Sequence, residues 1–182
     1  MLIEKYTSNW IENFTVLKSA IDRCLQGLPY RIEHVGSTAV PNLDSKPIID
    51  IDIIYFQQAD FGEIKWRLEE AGYYHNGNQG IEDRDVFKRS GDAANAILDT
   101  IRHHLYVCPI NSKALERHIL SRDYLRKNDW ARLAYQQMKY KLAEEAHQNK
   151  KKYAELKEST MNDFIDAIIE KEKSERTTKG FV

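Results

Sequence analysis

The 182-residue sequence has only two cysteines, Cys24 and Cys108, far apart and in no CxxC or metal-type spacing. That excludes a disulfide framework and points to buried thiols in a reducing compartment. Excess charge of either sign is missing: 27 Lys and Arg face 28 Asp and Glu. A net charge of −1 gives no global pull toward nucleic acid or membrane, so any phosphate-binding surface must be local. No apolar run approaches the roughly 20 residues that span a bilayer. The start, MLIEKYTSNW, lacks a basic segment followed by an apolar stretch, so no signal peptide is read and the expected location is the cytoplasm. Also missing are HExxH, the P-loop, the nucleophile elbow and the dinucleotide fingerprint, which removes the common zinc-protease, ATPase, hydrolase and dehydrogenase readings.

What is present suits one compact domain, or a domain with a helical annex. A chain this long buries roughly 70% of its unfolded surface and needs no covalent staple. Trp10, Phe14, Leu17, Ile21 and Leu25 recur at helical spacing after Ser8, a candidate cap. Tyr30 to Val35 reads as a strand, and Ile48 to Tyr55 as a second. A helix is expected over 60–71, with Phe61, Ile64, Trp66 and Leu68 as apolar contacts. Short strands are expected at 73–75, 86–88 and 103–108. The stretch SGDAANAILDT between the last two reads as a loop. From Ser112 the pattern is helical, with helices over 112–127, 129–148 and 151–171. Their apolar anchors include Tyr124, Trp130, Leu133, Leu142, Tyr153 and Ile168, and SERTTKGFV is expected to fray. The fold class is α+β: a small mixed sheet flanked by helices over 1–110, with a helical C-terminal part over 111–182 packed on it.

One segment poses a question of chemistry. HVGSTAVPNLDSKPIIDIDIIY, His34 to Tyr55, ends in a hydrophobic strand that carries Asp50 and Asp52. Residues two apart on a strand share a face, roughly 6.5 to 7 Å apart. The two acids therefore project together, while Ile49, Ile51 and Ile53 fill a core on the other side. Burying paired carboxylates unpartnered is costly, so that face either meets water or holds something positive. A divalent cation resolves the conflict: Mg²⁺ takes one or two carboxylates plus substrate phosphates. Thirteen residues earlier, Gly36 lets backbone N–H groups approach an anion, and Ser37 and Thr38 add hydroxyls. Phosphate holder followed by paired acids is what metal-assisted phosphoryl or nucleotidyl transfer requires.

The same segment resembles the nucleotidyltransferase superfamily typified by DNA polymerase beta, in which a strand ending in Gly-Ser precedes a strand with Asp-x-Asp. HVGSTAVPNLDSKPIIDIDI is more similar still to the GrpB family of small bacterial proteins. IRHHLYV at 101–107 resembles that family's Arg-x-His-Leu-His-Val strand. SRDYLRKN at 121–128 resembles its Arg-Asp-Tyr-Leu-Arg helix, and Tyr135, Lys139, Leu142, Tyr153 and Lys157 fit its last helices. The resemblance implies a nucleotidyltransferase-like fold that moves a nucleoside monophosphate from an NTP to an unknown acceptor, a small molecule, protein or RNA. It implies Mg²⁺ or Mn²⁺, two ions with the NTP, on Asp50 and Asp52, and a triphosphate on Gly36 and Ser37. Superfamily members place a third acid on a later strand. The counterpart here, RHHLYV, offers none, and His104 stands there as candidate ligand or base. Glu82, Asp83 and Asp85 are alternative substitutes. The alternative function is a non-catalytic nucleotide-binding or protein-interaction module.

Other residues have two readings each. Lys46 and Lys139 either reach a phosphate or are solvated, and His34 either points at the ligand or caps its strand. Arg122 and Arg126, four apart on one helical face, suit phosphate or an interdomain ion pair. Arg84, Lys88 and Arg89 form a basic cluster that suits phosphate or a solvated hairpin. Lys150 to Lys152 reads as a solvated turn between helices, too short to signal nucleic-acid binding.

Overall fold

A computed structural model describes residues 1–91 and 94–179. Helix α1 (Asn9–Cys24) buries Trp10, Leu17 and Ile21, the expected stripe. Ser8 does not cap it: its backbone is already helical and its hydroxyl makes no cap bond. An N-cap needs extended geometry to aim its oxygen at the free N–H groups.

Five strands follow: β1 (Tyr30–Val35), β2 (Ile49–Tyr55), β3 (Tyr73–His75), β4 (Asp85–Arg89) and β5 (His103–Pro109). They form one sheet in the order β1-β2-β5-β4-β3. The β2–β5 pairing is parallel and the others are antiparallel. The alternation along β2 sorts its residues onto two faces. Ile49, Ile51 and Ile53 enter a core with Leu105, Val107 and Phe87, beneath α1 and α2 (Gln58–Glu70). Each such buried side chain contributes roughly 1.5 to 3 kcal/mol.

Helix α3 (Ala96–Thr100) stands where a loop was expected. The Asn95 side chain accepts hydrogen bonds from the backbone N–H of Ile97 and Leu98, and Leu98 is buried. A capping Asn offsets the weakness of so short a helix. Asp92 and Ala93 of that stretch lie outside the described residues.

Helix α4 (Lys113–Lys127) covers the other face of the sheet, with Leu115 and Ile119 on Ile54 and Cys108. Helices α5 (Asp129–Glu145) and α6 (Lys150–Lys179) pack beside it. Their core takes in Leu2, Ile3, Val40 and Leu43, so the loop after β1 is anchored in the helical part. Helix α6 exceeds the expected 151–171. Lys150 to Lys152 form its first turn, and SERTTK continues it rather than fraying, while Gly180, Phe181 and Val182 of that stretch lie outside the described residues. Trp66, Trp130 and Leu133, expected as apolar contacts, are 52%, 51% and 52% exposed. The Lys171 ammonium lies over the Trp130 ring. Among the described residues, no helix is long and apolar enough to cross a membrane.

Candidate functional site

The turn after β1 is fixed from both sides. Gly36 has a φ of 71°, a region costly for residues with a Cβ, and a methyl group there would overlap the Asp50 carboxylate. Arg122 donates to the His34 carbonyl at 2.9 Å and Arg126 to the Ala39 carbonyl at 2.9 Å, so two arginines bracket Gly36 and Ser37. Arg122 also pairs with Glu33 and Asp123. Thr38 is buried, and its hydroxyl lies 3.3 Å from the Ile48 carbonyl and 3.0 Å from His34 Nε2. The His34 ring stacks on Phe14, and burial pushes its pKa down to about 4.

Asp50 and Asp52 do project to one face, as the strand spacing requires. Parallel pairing sets Asp50 beside His104 and Asp52 beside Tyr106. Each acid meets an imidazole. His104 Nδ1 lies 2.8 Å from Asp50 Oδ1, and His118 Nδ1, from α4, lies 2.8 Å from Asp52 Oδ2. Asp52 is fully buried, and its Oδ1 has no hydrogen-bond partner among the described residues. A buried carboxylate oxygen without a donor is costly and calls for an explanation.

This face opens into a cavity of about 460 Å³ between the sheet and α4, α5 and α6. Gly36, Ser37, Asp50, His104 and His118 line it together with Lys46, Lys139 and Lys157. None of the three lysines makes an ion pair within 4 Å among the described residues, although the Tyr135 hydroxyl and, more weakly, the Asp50 carboxylate raise the pKa of Lys157. The Lys46 ammonium sits 4.1 Å from the centre of the Tyr153 ring and that of Lys139 5.2 Å from the Tyr135 ring. Burial, then nearby Lys157, lowers the pKa of both Lys46 and Lys139, that of Lys139 well below the ordinary lysine range. Lys139 also donates to the Asp44 carbonyl. The cavity thus brings an acidic corner and three lysines together.

The structure therefore brings Gly36, Ser37, Lys46, Asp50, His104, Arg122 and Lys139 to one cavity. Thr38 is not on its wall: its hydroxyl is taken up inside the turn. Arg122 reaches the wall with its guanidinium already engaged by Glu33, Asp123 and the His34 carbonyl. None of Glu82, Asp83 and Asp85 lines the cavity, and Asp85 bonds His75 at 2.6 Å. Arg84 and Arg89 lie over the rings of Tyr106 and Tyr73. Sequence reasoning missed His118 and Lys157. His118 shares a helical face with Leu115, Ile119 and Arg122, the one signal that places it over the sheet.

The donor set can be tested against the cations that the sequence resemblance implies. Two ions sharing a third acid do not fit, because β5 offers His104 and Tyr106 there. Among the described residues, no group of three or more His, Cys, Asp and Glu is disposed to hold a metal. For one divalent cation the donors at hand are Asp50, which faces the cavity, and Asp52, which is buried off its wall and whose Oδ1 lacks a partner among the described residues.

The family description "GrpB protein" matches residues 1–171. The glutamate-rich protein GrpB of Alkalihalophilus pseudofirmus is 30% identical over 93% of this chain and 94% of its own. The UPF0157 protein YqkA of Bacillus subtilis is 30% identical over 76% of this chain, which spans 38% of that relative's length. The crystal structure of the conserved protein GrpB from Enterococcus faecalis superposes with a TM-score of 0.76 at 27% identity, over 93% of this chain and 98% of that one. A mutant Cid1 poly(U) polymerase bound to MgATP superposes with a TM-score of 0.57 at 13% identity, over 81% of this chain and 46% of that one. That likeness is one of fold, and the fold is nucleotidyltransferase-like. A family match over residues 1–171, with a relative 30% identical over 93% of this chain, places this chain in the GrpB family.

Proposed function

We propose that the cavity binds a nucleoside triphosphate with one divalent cation and supports transfer of the nucleoside monophosphate to an acceptor hydroxyl. The observation that carries this reading is the juxtaposition of Asp50 with Lys46, Lys139 and Lys157 in one cavity. Three lysine side chains converging on one cavity favour a polyanion, whose charge would in turn favour the protonated form of Lys139. Asp50 and Asp52 would hold the cation, Mg²⁺ or Mn²⁺, which when bound neutralises phosphate charge and polarises the phosphorus centre. Gly36 and Ser37 hold the phosphate chain by backbone N–H and hydroxyl, and the lysines offset its remaining charge. In the reaction the acceptor oxygen bonds to the α-phosphorus, the bond to the β-phosphate oxygen breaks, and pyrophosphate leaves. His104, half exposed with its Nδ1 on Asp50, would take the acceptor proton through Nε2. The acceptor is left open among small molecules, proteins and RNA.

One observation favours a second reading, a nucleotide-binding module without chemistry: β5 offers no third acid. Calorimetry with ATP and UTP, with and without Mg²⁺, tests the common part. Binding is expected to need the cation and to fall at least tenfold in Asp50→Asn and Asp52→Asn. Absent or cation-independent binding would overturn it. Pyrophosphate release with pooled acceptors then separates enzyme from module.

A further inference from the structure

His118 stands between Asp52 and the cavity. Asp52 is fully buried and does not line the cavity, whereas His118 does. The imidazole holds Asp52 Oδ2 at 2.8 Å and leaves Oδ1 without a partner. A cation entering from the cavity meets Asp50 directly and reaches Asp52 only where His118 now lies. The ring is lightly held: among the described residues its one hydrogen bond is to Asp52, and it meets the Tyr106 ring with centres 5.8 Å apart. Rotation about two side-chain torsions on α4 moves it without moving backbone.

We propose that His118 is a tethered stand-in for the cation, a latch that satisfies Asp52 when no ion is bound and must swing off for one to bind. This rests on the reading that Asp50 and Asp52 take a divalent cation, and it assigns His118 a role opposite to that of a ligand. A ligand adds affinity, whereas a latch competes for the same oxygen and lowers it. Competition also makes the acid pair accessible only when an incoming ion displaces the ring, so cation uptake is coupled to a side-chain movement on the helix that carries Arg122 and Arg126. Those arginines hold the Gly36–Ser37 turn, so the ion site and the phosphate turn share one supporting helix.

The test uses Mn²⁺ as probe, followed by calorimetry and electron paramagnetic resonance on the full chain. His118→Ala is expected to bind Mn²⁺ about tenfold more tightly than the parent, a change of about 1.4 kcal/mol. Equal or weaker binding in a folded His118→Ala overturns the latch. Should that variant fail to fold, nitrogen NMR of the parent decides. Saturating Mg²⁺ is expected to remove the hydrogen-bonded Nδ1 signal of His118. A signal unchanged by Mg²⁺, while Mg²⁺ stabilises the parent but not Asp50→Asn, overturns the latch alone. If neither ion binds the parent or any variant, the underlying reading falls and the latch falls with it.

Discussion

Gly36 is a single missing methyl group on which the acidic corner depends. Its φ of 71° disfavours any side chain, and the space a Cβ would take belongs to the Asp50 carboxylate. Gly36→Ala is expected to cost about 1 to 2 kcal/mol in backbone strain and to push Asp50 off its position. Urea unfolding should show the loss, and nucleotide binding should fall at least tenfold. Retained affinity would mean that the turn does not touch the ligand. His34 makes a pH prediction. Burial holds its folded pKa near 4, against roughly 6.5 unfolded, so the unfolded chain binds the extra proton in between. Its contribution is complete above about pH 6.5 and lost as the pH falls toward 4. The loss is roughly 3 kcal/mol at most. Denaturation midpoints of the parent should fall across that window more steeply than those of His34→Gln, and parallel curves would refute the assignment.

At the scale of elements, the sequence was informative wherever a repeat of two or of 3.6 residues was strong. The alternation in β2 put Ile49, Ile51 and Ile53 in the core and both acids on the opposite face, and this followed from the pleat alone. The Asn cap of α3 lay in a stretch too short to show a period, so a helix there had no pattern to reveal it. The histidine partners were hidden for another reason. Asp52 and His118 are 66 residues apart, and only the docking of α4 across the sheet brings them together. Lys139 kept two readings, phosphate contact or solvation, and Lys157 had only the family resemblance, because a helix face is assigned water until a neighbour covers it. Lys139 is 2% exposed, and burial disfavours its charged form. Lys139→Met is therefore expected to raise stability by about 1 kcal/mol while lowering nucleotide affinity about tenfold. Thermal melts beside calorimetry check the two signs together, and a variant that is less stable yet binds normally would make Lys139 structural.

Across the whole molecule the cavity is closed by α6, and α6 is held by charge. An unbroken series of ion pairs runs Glu33–Arg122–Asp123–Arg176–Glu172–Lys127, from β1 through α4 to α6. Glu172 is fully buried, and takes Lys127 at 2.5 Å and Arg176 at 2.8 Å. Burial alone would raise its pKa, but the hydrogen bonds from those two cations outweigh it and hold the carboxyl below its usual range. The sign follows: a depressed folded pKa gives stability that is present above the unfolded value of roughly 4.3 and lost as the pH falls below it. Protonation leaves Lys127 and Arg176 without their shared anion and loosens α6 where it meets α4. The same helix lines the cavity with Tyr153, Lys157 and Met161, so acid should open the site before it unfolds the sheet. Glu172→Gln imitates the protonated state at neutral pH and is expected to cost about 2 kcal/mol, less than a pair buried on both sides because both cations are half exposed. Hydrogen exchange followed by mass spectrometry should find the amides of α6 exchanging faster in Glu172→Gln at pH 7, and in the parent at low pH, with β2 and β5 still protected. Equal exchange in parent and variant along α6 would mean that the apolar contacts of Tyr153, Met161 and Ile168 hold the helix without help from the ion pairs.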